Sequence, residues 1–133
     1  MTVLLKNNLT EIARLSEIVE TLGNQHGMTE EVVYASNLAL DEILTNVITY
    51  GYQDQSEHEI VVRFDISGNK LSMEVEDDGH PFNPLEAPTP NLEAALLEKE
   101  IGGLGIHFVK TLMDRVEYRR EHEKNILSLT KSF

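Results

Sequence analysis

The chain contains no cysteine, which removes disulfides, thiolate zinc sites and cysteine nucleophiles together and fits the reducing cytoplasm. Positive charge is also scarce: 11 Lys and Arg stand against 23 Asp and Glu, a net charge of −12 over 133 residues. So acidic a surface repels phosphate backbones and anionic bilayers, which argues against nucleic acid or membrane as a partner. The same field requires that any bound polyphosphate be neutralised locally, by a divalent cation or by backbone N–H groups. Long apolar runs are missing too. No stretch approaches the roughly 20 apolar residues of a membrane span, and the run near the start is too short for a signal peptide. There is no internal repeat, low-complexity tract or linker. With 41% hydrophobic and 26% charged residues, the expectation is one domain over 1–133 with a single core.

What is present is clear periodicity. Residues 3–6 read as a short edge strand. Asn8, with Glu11 three residues on, reads as a helix start in which the two side chains satisfy orphan N–H groups. Leu9, Ile12, Leu15, Ile18, Val19 and Leu22 then recur at helical spacing, with Gly23-Asn24 as the expected stop. Thr29 opens a longer helix whose apolar positions nearly encircle it, predicting burial on more than one side. From Ile60 the period falls to two: Ile60, Val62, Phe64 and Ile66, a turn at Ser67-Gly68-Asn69, then Leu71, Met73 and Val75. The stretch 79–103 carries all four prolines and a helical segment around 92–97; so long a connection in a small domain is usually a lid or binding loop. A helix over 106–113 and a hairpin of strands 116–120 and 126–130, turned at Glu123-Lys124-Asn125, complete the order. The pattern predicts an α+β sandwich, with about three helices on one face of a mixed, mainly antiparallel sheet.

Three groups of residues stand out chemically. Glu42 and Asn46 lie four apart on an otherwise apolar helix and share a face; the plainer account is an exposed polar stripe. Asp77-Asp78-Gly79 leaves a strand directly before Pro81-Phe82-Asn83-Pro84. This suits either an ordinary Asp-rich turn or a carboxylate facing an exocyclic amine beside a glycine that lets a flat ring approach. Gly102-Gly103-Leu104-Gly105 opens a helix, where free N–H groups and the helix field favour an anion; alternatively the glycines form a hinge. No Gly-Lys-Ser/Thr follows them, so this is not a P-loop, and no strand immediately precedes them, so it is not a dinucleotide fingerprint.

In order and spacing, Leu40-Asp41-Glu42-Ile43-Leu44-Thr45-Asn46, Asp77-Asp78-Gly79-His80-Pro81-Phe82-Asn83-Pro84 and Gly102-Gly103-Leu104-Gly105-Ile106-His107 resemble the GHKL ATPase/kinase superfamily, which includes gyrase, MutL and sensor histidine kinases. The Asp-Asp-Gly-x-Pro-Phe form and the small size resemble, within it, the bacterial anti-sigma factor/serine-protein kinases of partner-switching systems. The resemblance implies a Bergerat-type ATP-binding fold with an ATP lid near 80–102. It implies ATP and Mg²⁺ as cofactors, Asn46 as the magnesium ligand and Glu42 as the general base. Asp77 would read the adenine amino group, Gly79 would lie beneath the ring, and Gly102, Gly103 and Gly105 would frame the phosphates. Thr130 would stand on the last strand near Asp77, and Arg14 in the region that meets a substrate protein. Many relatives carry basic residues or histidine just after the asparagine, where this chain has Thr49 and Tyr50; Lys99 and Lys110 are the nearest basic replacements. The implied function is a cytoplasmic serine/threonine kinase acting on a small anti-sigma-factor antagonist, binding a sigma factor when not held by it, and forming a homodimer. The alternative is a non-catalytic, ATP-gated module that exchanges protein partners.

Overall fold

Alternating burial along the strands and 3.6-residue burial along the helices build two layers in the computed structural model, which describes residues 1–86 and 102–133. The order is β1 (Thr2–Lys6), α1 (Glu11–His26), α2 (Glu30–Tyr50), β2 (Glu59–Ser67), β3 (Lys70–Asp77), a 3-10 turn (Pro84–Glu86), α3 (Gly102–Leu112), β4 (Arg115–Glu121) and β5 (Lys124–Ser132). The expected segment at 92–97, most of the lid, and Lys99 lie outside the described residues. The sheet order is β1-β2-β3-β5-β4, so β1 is the edge strand expected of it.

Every pairing among the described strands is antiparallel, which corrects the expectation of a mixed sheet. The reason lies in the connections. Two successive helices return the chain from β1 so that β2 runs against it. β3 and β4 both run against β5, which inserts between them, so they point the same way without pairing.

The helices cover one sheet face. Val3, Leu5, Ile60, Val62, Phe64, Leu71, Met73, Val75, Leu127 and Leu129 meet Leu15, Val19, Leu40, Ile43, Leu44, Val109 and Met113 in one buried cluster. Side chains of this kind contribute about 1.5–3 kcal/mol each on burial. α2 sits between α1 and α3. It is capped by Thr29, whose hydroxyl accepts from the Val32 N–H at 3.2 Å, and small Ala35, Ser36 and Ala39 on its buried side allow a close approach.

Three local readings change. Asn8 folds back onto Thr10 (3.0 Å), and Glu11 pairs with Arg14 at 2.9 Å instead of reaching back. Gly23 does not end α1; the helix runs to His26 and closes on Gly27, which takes the left-handed φ of 69°. Gly23 is there because a β-carbon would collide with Val33 of α2. The last hairpin turns at His122-Glu123, with φ of 52° and 63°, which places Asn125 inside β5, opposite Asp77.

Candidate functional site

The cleft lies where α2, the end of β3, the following turn, α3 and the β4–β5 hairpin converge. It encloses about 360 Å³ and is walled by Ile43, Val47, Val75, Phe82, Ile106 and Leu127, with Asn46, Asp77, Tyr118 and Asn125 as its polar points. An apolar cavity with a few polar groups suits a flat, partly polar ligand.

Asp77 ends β3 only 6% exposed. Its Oδ1 accepts from the Gly79 N–H (2.9 Å) and from Asn125 Nδ2 (3.0 Å). Burial pushes its carboxyl above the ordinary value, while the bonds from Asn125 and Gly79 pull the other way. Gly79 is a glycine for space: a β-carbon would overlap the Gly51 carbonyl just past α2. That same carbonyl takes the His80 N–H at 3.0 Å, so the turn after β3 is pinned to the end of α2.

At the other side, Glu42 and Gly105 meet. The α3 backbone passes so close to the Glu42 carboxylate that a side chain at 105 would overlap Oε2. Burial first, and the neighbouring Asp41 charge second, push the Glu42 carboxyl above its ordinary value. Gly102, Gly103 and Gly105 belong to the first turn of α3, not to a separate loop, so their N–H groups are the ones a helix leaves without internal partners. Asn46, one turn beyond Glu42, lines the cleft, and its amide has no hydrogen-bond partner among the described residues. An unpartnered amide oxygen in the cleft is a fitting donor for magnesium, which takes few protein ligands.

Thus Asn46 and Asp77 line one cleft, Gly79 is hydrogen-bonded to Asp77, and Glu42 lies against Gly105 where α2 meets α3. Thr130 is not with them. It pairs with Ser72 and Arg115, five positions along β5 from the Asn125 that faces Asp77, and an odd step puts it on the opposite face of the sheet. Thr49 is exposed and faces a different recess, whereas Tyr50 stands exposed at the cleft. Lys110 is tied to the Leu85 carbonyl at 3.2 Å, which secures the start of the segment expected to be the lid.

Sequence reasoning passed over Asn125, Tyr118 and Arg120. Asn125 Oδ1 accepts from the Tyr118 hydroxyl (2.5 Å) and from Arg120 Nη1 (3.1 Å); Arg120 also holds the Gly79 carbonyl at 3.0 Å. The available signal was the two-residue spacing of Asn125, Leu127 and Leu129, all on the buried side. Ile126 obscured it, because that residue is 5% exposed although it belongs to the opposite face.

The chain belongs to the histidine kinase-like ATPase domain family, which it matches over residues 5–131. It is 31% identical over 110 residues to the anti-sigma F factor of Thermoanaerobacter sp. (strain X514), covering 83% of this chain and 76% of that protein. It is 27% identical over 116 residues to the serine-protein kinase RsbW of Bacillus subtilis (strain 168), covering 83% and 71%. Among solved structures it is similar to the histidine kinase domain of the Erythrobacter litoralis EL346 blue-light activated histidine kinase, with a TM-score of 0.59 at 15% identity, covering 93% of this chain and 60% of that one. The Acinetobacter baumannii histidine kinase AdeS matches with a TM-score of 0.52 at 11% identity, covering 98% and 67%. These two likenesses concern the fold alone. The GHKL-like family and the α+β architecture expected from the motifs are therefore established, and ATP binding comes with the ATPase domain.

Proposed function

We propose that this chain is an ATP- and Mg²⁺-dependent serine/threonine protein kinase acting on a small antagonist protein, and that it binds a sigma factor when that antagonist does not hold it. The observation that carries this reading is the placement of Glu42, its carboxyl pushed up by burial, against the first turn of α3 and one turn from Asn46. Names of the relatives, anti-sigma F factor and serine-protein kinase, point the same way. Glu42 takes the proton from the substrate hydroxyl. The hydroxyl oxygen then bonds to the γ-phosphorus as the bond to the bridging oxygen of ADP breaks. Magnesium, when bound, offsets the triphosphate charge, with Asn46 supplying an amide oxygen. Asp77 accepts from the adenine amine, Gly79 leaves room for the ring, and the N–H groups at Gly102, Gly103 and Gly105 face the phosphates. Action in the cytoplasm as a one-domain homodimer completes the proposal.

The experiment is to mix the protein with Mg-ATP and its cognate antagonist and follow phosphoprotein by mass spectrometry. Glu42→Gln is expected to abolish transfer while retaining ATP binding. No phosphoprotein from the unaltered chain, together with intact partner exchange on ATP addition, selects the second reading of a non-catalytic ATP-gated module. That reading is favoured by the uncharged Thr49 and Tyr50 and by the tie of Lys110 to Leu85.

A further inference from the structure

The amide of Asn125 is buried with its hydrogen-bonding groups occupied. Nδ2 donates to Asp77 Oδ1 at 3.0 Å and to the His80 carbonyl at 2.9 Å. Oδ1 accepts from the Tyr118 hydroxyl and from Arg120 Nη1. This amide has only one workable orientation. Reversed, its NH₂ would face a guanidinium and its oxygen would face a carboxylate and a carbonyl. The Gly79 N–H joins it in donating to Asp77 Oδ1. Two donors therefore converge on one oxygen of Asp77, and Oδ2 is left with no partner among the described residues in a side chain that lines the cleft.

We propose that Asn125 is a positioning residue that, with the Gly79 N–H, holds Asp77 by Oδ1, so that Oδ2 is the acceptor presented to an exocyclic amine in the cleft and any side chain with one acceptor and one donor at this position is held with its donor toward the base. This rests on the reading of the cleft as the ATP site. Asn125 has no donor left for the base, so its influence passes through Asp77. A specific consequence follows for Asp77→Asn. The two donors from Asn125 and Gly79 hold the new amide by its oxygen, which turns its NH₂ toward the cleft. The site then matches a base with a carbonyl in place of the amine. Without Asn125 only the Gly79 N–H still holds that oxygen, so the new amide is less firmly oriented and its preference for the carbonyl shrinks.

Calorimetry with Mg-ATP and Mg-ITP tests this, since inosine carries the carbonyl where adenosine carries the amine. The unaltered protein is expected to prefer ATP by about 10-fold or more, as a site built around a hydrogen bond rejects the mismatched group. Asp77→Asn is expected to prefer ITP by about 3-fold or more. Asp77→Asn combined with Asn125→Leu is expected to show less than about 2-fold preference. Asn125→Thr is the gentler second partner for Asp77→Asn: a hydroxyl donates or accepts, so it releases the polarity in the same way, and melting curves confirm folding of each variant. An ITP preference of equal size with and without Asn125 overturns the positioning role. Failure of the unaltered protein to bind either nucleotide overturns the ATP-site reading itself, and is told apart by the first titration.

Discussion

At Gly105 the backbone of α3 lies against the Glu42 carboxylate, and the missing β-carbon is what permits it. Gly105→Ala displaces the Glu42 carboxylate, the far end of a flexible side chain, so phosphoryl transfer is expected to fall about 10-fold or more while stability changes by less than about 1 kcal/mol; transfer assays and urea melts read the two. Glu42 also gives a pH signature. Its carboxyl is raised by burial and then by Asp41, and a base acts only when ionised, so transfer should decline as pH drops through that raised value. Asp41→Asn removes the second cause and is expected to move the acid limb of the rate profile to lower pH. For Asp77 the sign concerns stability. Burial raises its folded pKa, so ionisation opposes folding once pH rises past the unfolded value of about 3.9. Asp77→Asn is therefore expected to raise the melting temperature by about 2–5 °C at pH 7, with the gain shrinking toward pH 4. Binding and stability pull against each other at this residue.

At the scale of elements, the α1–α2 contact is set by Gly23 meeting Val33. Removing a helix-interior glycine ordinarily stabilises by about 0.5–1 kcal/mol, but here the new methyl has nowhere to go. Gly23→Ala is expected to destabilise by about 1–3 kcal/mol, and Val33→Ala in the same chain to recover most of it. A double-mutant cycle by chemical denaturation measures that coupling. The case shows why some boundaries were legible and others were not. Thr29, the two-residue periodicity of β2 and β3, and the Gly68 turn announce themselves by local chemistry. Gly23 looked like a stop because a glycine kept for packing and one kept for capping are identical letters. Asn125 looked like a turn residue for the same kind of reason, and only the left-handed His122 and Glu123 reveal where the hairpin bends.

For the whole molecule the net charge of −12 is the dominant long-range fact. Mg-ATP is still anionic, so the protein's field slows its approach, and screening by salt weakens that field. Raising ionic strength from about 0.05 to 0.3 M is expected to increase the ATP association rate, the reverse of a basic nucleotide-binding site. Chelating the cation with EDTA is expected to weaken ATP binding by about 10-fold or more, because in the proposed site the cation offsets a triphosphate charge that the chain's net charge of −12 opposes. Stopped-flow binding reads both. The family, the two-layer architecture and the gathering of Asn46 and Asp77 were all readable from ordered motifs, because each motif is local and its order follows the chain. Tertiary structure alone decided that Thr130 is on the far face, that Gly105 is pressed on Glu42, and that Asn125 and Arg120 hold the Asp77 turn. Those facts depend on strand parity, on the bend of one hairpin and on the distance between helices, which arise between elements and leave no periodic mark within any one of them.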